Sequence, residues 1–301
     1  MLAQIPFPEI SPEIFTLPIA GMEFALRWYA LAYIVGIIIA WQVSVRAVSR
    51  PALWSGTAPL TKPQLEDLLT WIILGIILGG RLGFVLFYEP AYYLANPSQI
   101  LQVWQGGMAF HGGFLGVVIA AWIWCARNGV SKIAAADTIA LGVPWGLMLG
   151  RLANFINAEL WGRPTDVPWA MKFPTMCRNT VLQGCEKAGE WFYTGAELTR
   201  HPSQLYQAAL EGALLGLLLL FLAFSRGALK TRGLITGVFI AGYGTARFIV
   251  EHFRQADAQF VTPDNPFGHV VLGITMGQLL SLPMVLAGVL IILWARRNRP
   301  V

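Results

Sequence analysis

Seven apolar blocks recur along the chain, at about 27–45, 68–88, 108–126, 134–153, 207–224, 234–252 and 278–295. Each is close to the roughly 20 residues that an α-helix needs to cross a bilayer core of about 30 Å. The polar remainder is small. Of 301 residues, 56% are hydrophobic and 12% charged, against about 45–50% and about 25% in soluble domains. With a mean hydropathy of +0.58, the chain has too little polar surface for a water-soluble globule and far too much apolar content for disorder. The expected fold is therefore an all-α polytopic membrane protein, one integral membrane domain over 1–301 with seven spans. Pro144 should kink the fourth, which a membrane helix tolerates where neighbours satisfy the freed carbonyl.

Basic residues orient the bundle. The segments 46–67, 127–132, 226–232 and 296–299 carry Arg46, Arg50, Lys62, Arg127, Lys132, Arg226, Lys230, Arg232, Arg296, Arg297 and Arg299, while 89–107 and 255–277 carry none. The positive-inside rule then predicts an external N-terminus and a cytoplasmic C-terminus. The net charge of +5 is accounted for by these loops and gives no reason to invoke nucleic acid. The N-terminal stretch lacks a basic region and is broken by Pro6, Pro8 and Pro12, unlike a cleavable signal peptide. The long connection 155–206 falls outside and is read as a small head insertion, with Arg163, Lys172, Arg178, Lys187 and Arg200 among its cations. Its Cys177 and Cys185, in an oxidising compartment, are expected to form a disulfide. Glycines at helical spacing, Gly75 with Gly79, Gly112 with Gly116, and Gly242, predict close helix contacts.

Five further arginines lie in or beside spans: Arg27, Arg81, Arg151, Arg247 and Arg254. At a rise of about 1.5 Å per residue, all fall in the outer leaflet or at its boundary. One arginine at a helix end, such as Arg27, reads as snorkelling. Five together, with Glu23, Glu159, Glu211 and Glu251 as the few carboxylates at that depth, point to an anionic ligand such as a phospholipid phosphate. Tyr243, Arg247, Glu251 and Arg254 share one helix face, which equally suits a structural ion-pair ladder. Arg151 and Asn154 pair a charge with a neutral donor. His111, among glycines at the outer end of the third span, reads first as an interfacial hydrogen-bonder and second as a catalyst.

Other chemistries lack their motifs. The four histidines show no HExxH spacing and the cysteines no CxxC pair, so no metal site is expected. No GxSxG elbow or phosphate-binding glycine loop occurs, and no cofactor is implied. Cys125 lies far from the arginines and is a poor nucleophile candidate.

The segment GRLANFINAELWG at 150–162 matches the signature of the prolipoprotein diacylglyceryl transferase family, with Gly150, Arg151, Asn154, Phe155, Asn157, Glu159 and Gly162 in place. RWYALAY at 27–33, HGGFLG at 111–116, RHPSQLYQ at 200–207 and YGTARFIVEHFR at 243–254 resemble further blocks of that family in the same order. The resemblance covers nearly the whole chain. It implies a bacterial inner-membrane enzyme with seven spans and a periplasmic head. Such an enzyme moves the diacylglyceryl group of phosphatidylglycerol to the lipobox cysteine of a prolipoprotein signal peptide, releasing glycerol phosphate. Functional residues carried over are His111, Arg151, Asn154, Glu159, Gly162 and Arg247, with Tyr29, Tyr243 and Arg254 also implicated. Gln207 departs from the acidic residue common at its position, and the segment around Cys177 and Cys185 is particular to this chain or its close relatives.

The residues suit that chemistry. Thiol attack on a glycerol carbon expels a phosphate monoester, so the need is for cations on the leaving group, met by Arg151 and Arg247. Asn154 would orient the headgroup. A thiol with pKa near 8.5 is helped by a base, for which His111 is the first candidate and Tyr29 the second. Two rivals remain at this point: an anion transporter, disfavoured by cations gathered at one leaflet and by the lack of an inverted repeat, and a non-catalytic lipid-binding assembly factor.

Overall fold

The structure, a computed structural model, describes residues 5–19, 22–177, 180–183, 185 and 189–298. Arg178, Lys187 and Arg299, read above as loop and tail cations, lie outside these, as does the side chain of Glu23.

All seven apolar blocks are helical. The long helices are α1 (Trp28–Val48), α2 (Lys62–Phe87), α3 (Phe110–Arg127), the pair α4 (Lys132–Ala140) and α5 (Val143–Ile156), α6 (Ser203–Ser225), α7 (Leu234–Val250) and α8 (Met276–Arg297). Five of them, α1, α2, α3, α6 and α8, are long and apolar enough to cross a membrane, and a sixth span arises if α4 and α5 count as one. α7 is apolar but shorter, at 17 residues. The kink expected at Pro144 is a break just before it: α4 and α5 meet at a 40° bend. Pro144 occupies the first turn of α5, where a missing N–H leaves no helical bond unmade.

The expectation of a wholly helical chain needs correction at the N-terminus. β1 (Glu13–Ile19) and β2 (Met22–Arg27) form an antiparallel hairpin running directly into α1. Arg27 is the last residue of β2, where its guanidinium meets Glu13 opposite at 3.0 Å on an exposed surface. The 155–206 connection is also not bare loop. It holds two short strand pairs, β3 (Met171–Lys172) with β6 (Thr199–Arg200) and β4 (Thr175–Met176) with β5 (Trp191–Phe192). The expected Cys177–Cys185 disulfide is present, and Cys125 is free and buried.

Two apolar clusters hold these parts. The larger joins Val43, Leu68, Trp124, Leu141, Leu219 and Ile235 inside the helical bundle. The smaller packs Phe7 on Phe155 and Phe173, with ring centroids 5.2 and 5.4 Å apart, and so fixes the head on the end of α5. The α2–α3 contact is a glycine seam: a Cβ at Gly75, Gly79, Gly112 or Gly116 would strike the facing backbone. At the other end of the bundle, Asp137 of α4 is fully buried and accepts from the backbone N–H of Gly233 (2.6 Å) and Thr236 (2.8 Å) and from the Thr236 hydroxyl (2.7 Å). It satisfies N–H groups that α7 cannot satisfy within itself.

Candidate functional site

Charge spacing along α7 brings Arg247 and Glu251 together one turn apart, at 2.8 Å. Glu251 reaches on to Arg254 at 3.9 Å and accepts from the Thr275 hydroxyl at 3.2 Å. Arg254 also pairs with Asp257 at 3.1 Å. From α5, the Arg151 Nε lies 3.7 Å from Glu211, a fully buried carboxylate on α6. The Tyr243 hydroxyl interacts with Arg151, Arg247 and Glu211. Thus α5, α6 and α7 converge on one cluster of three arginines and two buried carboxylates.

The cluster is incompletely bonded among its own members. Neither oxygen of Glu211, neither polar atom of the Gln207 amide, nor Nη1 of Arg247 has a hydrogen-bond partner, although all are buried. Buried polar groups are nearly always satisfied, so such a concentration marks a place built for a polar ligand or water. Glu211 lies where α6 widens into a π-helix over Ala208–Leu214, and Gln207 directly precedes that stretch, a distortion frequent at functional sites.

The signature segment forms a second, adjoining part. The Asn154 amide donates to Glu159 at 2.8 Å and the Asn157 amide to the same oxygen at 3.3 Å. Ala158 and Leu160, flanking Glu159, both adopt positive φ, 51° and 56°, at a cost of order 1–3 kcal/mol each. Gln204 secures this turn by donating to the Glu159 carbonyl at 2.7 Å. A cleft of about 520 Å³ opens beside it, lined by Ala25, Arg27, Tyr29, Ala30, Asn157 and Glu159. Gly162 passes so close to the Phe253 and His201 carbonyls that a Cβ would come within 2.5 and 2.6 Å of them. It bridges to Arg254 in backbone pairing and so ties the two parts together. Arg163 adds a hydrogen bond to the Arg254 carbonyl at 2.9 Å, and burial lowers its pKa.

The structure therefore gathers Arg151, Tyr243, Arg247 and Arg254, and sets Asn154, Glu159, Gly162 and Tyr29 beside them. It does not join His111 to them. That residue is exposed in the first turn of α3, with the Phe110 ring 5.7 Å away, and no contact among the described residues links it to the arginines. Arg81 also leaves the set. It is buried and donates to the carbonyls of Gln99 (2.6 Å), Ile100 (2.8 Å), Gly106 (2.6 Å) and Gly107 (3.2 Å). Sequence reasoning placed Glu211 at the right depth but gave it no partner, and assigned Gln207 no role. An isolated carboxylate and an isolated amide inside one apolar run were the available signal.

A multi-pass helical membrane protein with a cationic, partly unsatisfied polar centre is the class that this fold and cluster define. The family model for prolipoprotein diacylglyceryl transferase matches residues 16–294. The chain is 62% identical over 301 residues to the phosphatidylglycerol–prolipoprotein diacylglyceryl transferase of Ruegeria pomeroyi, covering 98% of this chain and 99% of that one. It is 57% identical over 303 residues to that of Roseobacter denitrificans, with 98% and 99% covered. With that of Rhizobium meliloti it shares 45% over 297 residues, with 98% and 95% covered. The chain belongs to the prolipoprotein diacylglyceryl transferase family.

Proposed function

We propose that this protein transfers the diacylglyceryl group of phosphatidylglycerol to the lipobox cysteine of prolipoproteins, in the bacterial inner membrane. The observation that carries the reading is the convergence of Arg151 and Arg247 with Glu211, Glu251 and Tyr243 in a chain of this family. In the reaction the thiol loses its proton and its sulfur bonds to the glycerol carbon. The carbon–oxygen bond to phosphate breaks, and glycerol phosphate leaves with the electron pair. Arg151 and Arg247 neutralise the charge that gathers on the leaving phosphate, where preorganised donors act most strongly. Asn154 and Glu159, held by each other, orient the headgroup with Gly162, Tyr243 and Arg254 around it. His111 takes the thiol proton; Tyr29, lining the cleft, is the second candidate. No cofactor takes part.

The proposal includes the full topology: seven spans, a periplasmic N-terminus, a periplasmic head over 155–206 and a cytoplasmic C-terminus. The basic loops support it. Purified protein incubated with phosphatidylglycerol and a lipobox peptide should yield a thioether-linked diacylglyceryl adduct by mass spectrometry. No adduct under conditions where a relative produces one sinks the activity. Cysteine labelling should find residues 165–175 periplasmic and 127–132 cytoplasmic, and the reverse pattern overturns the orientation.

A further inference from the structure

Glu211 is a carboxylate without exposure and without a hydrogen bond, on a π-helical turn inside an apolar helix. Nothing in the thiol chemistry calls for it. An unpaired anion in such a place is costly unless a cation offsets it, and the cation is Arg151, reached at its Nε edge. Approach along Nε leaves the terminal nitrogens of the guanidinium outside this ion pair; no other described carboxylate pairs with Arg151, and the Tyr243 hydroxyl hydrogen-bonds the same side chain. Glu211 also lies within electrostatic reach of Arg247 and Arg254. Three guanidiniums thus face two buried carboxylates, Glu211 and Glu251, while the exposed Asp257 pairs only with the outermost of them, Arg254.

We infer that Glu211 is a positioning residue, which turns the Arg151 fork toward the phosphate and trims the cluster's positive charge so that the anionic product leaves. The inference rests on the reading that Arg151 holds the phosphate. Orientation matters because a guanidinium recognises phosphate as a planar fork and not as a point charge. Charge balance matters because binding shared equally by bound lipid and released glycerol phosphate gains nothing in turnover.

The test is Glu211→Gln, equal in shape but uncharged, beside Glu211→Asp, which keeps the charge on a shorter stem. Both are assayed with phosphatidylglycerol and a lipobox peptide, with glycerol phosphate as inhibitor. For Glu211→Gln, kcat should fall about tenfold or more, the scale of one charged hydrogen bond, while KM falls and glycerol phosphate inhibits more tightly. Glu211→Asp should restore wild-type KM and inhibition, with kcat between the two. Wild-type kcat, KM and inhibition in Glu211→Gln overturn the inference, as does a lower kcat with KM and inhibition unmoved, which is mere structural damage. If Glu211→Gln fails to insert, Glu211→Asp decides: reduced kcat with wild-type inhibition supports the role, and unchanged kcat refutes it. Phosphatidylglycerol binding by Arg151→Gln separates the two readings. Undiminished binding removes the premise about Arg151, whereas lost binding beside a wild-type-like Glu211→Gln removes only the role of Glu211.

Discussion

Arg81 and Arg247 occupy comparable depths in their helices, yet their surroundings are opposite. Arg81 spends its guanidinium on four main-chain carbonyls and lies over the Tyr93 ring at 5.1 Å. The segment 99–107, which would otherwise carry unpaired carbonyls, is pinned to α2 by one side chain. Arg247 meets one carboxylate edge and leaves Nη1 unbonded among neighbours that are themselves unsatisfied. Cost alone does not separate a structural intramembrane arginine from a functional one. What separates them is whether the hydrogen-bond capacity is filled from within the fold.

Substituting lysine at Arg151 or Arg247 is the hardest blow to that contrast. Charge is kept and the fork is lost, so turnover should drop about 10²–10³-fold with insertion and thermal stability near wild type. Near-full activity in both variants would reduce the pair to structural ion bridges. His111→Gln follows, with a loss of at least about 10²-fold at pH 7 and phosphatidylglycerol binding largely intact. Higher pH should recover part of that loss, because more substrate thiol ionises unaided. If lipid binding fails instead, the proton acceptor is to be sought at Tyr29.

Arg81→Gln tests the other side. Its carbonyl partners are left unpaired at about 1–3 kcal/mol each, so the unfolding midpoint should fall while turnover per folded molecule changes little. A selective loss of turnover would place Arg81 with the site after all. Reducing Cys177–Cys185, which closes a short loop, should cost the head about 2–3 kcal/mol, read by proteolysis of the 155–206 segment; equal protection with and without reductant contradicts this. The smallest effect concerns His201 at the root of the head, whose pKa burial lowers. The unfolded chain therefore binds its proton more readily. The contribution of His201 is complete above its unfolded value, about 6.5, and is lost as pH falls through the lower folded value. Thermal stability of wild type should drop faster than that of His201→Gln between pH 7 and 5, and parallel curves would show that the ring is not desolvated.

Sequence made the helical blocks and the ladder on α7 legible, because both are local: one depends on length and composition, the other on a spacing of four. The glycine seam was equally visible at i, i+4. The role of Arg81 was not, since its acceptors are main-chain carbonyls that any sequence supplies. Nor was the Arg151–Glu211 pair, formed across two helices whose register no spacing encodes. The hairpin before α1 was missed, although the alternation in EIFTLPI and MEFALR was a signal for it. For His111, equal depth along two helices says nothing of distance across the membrane plane, and no contact among the described residues links it to the arginines.

The seam between α2 and α3 bears on traffic. Where backbones touch through Gly75, Gly79, Gly112 and Gly116, no gap is left for an acyl chain, and the two helices behave as one wall. A two-tailed lipid arriving sideways must use a doorway elsewhere in the ring of helices. Widening any of these four residues to leucine would force the two backbones of the wall apart.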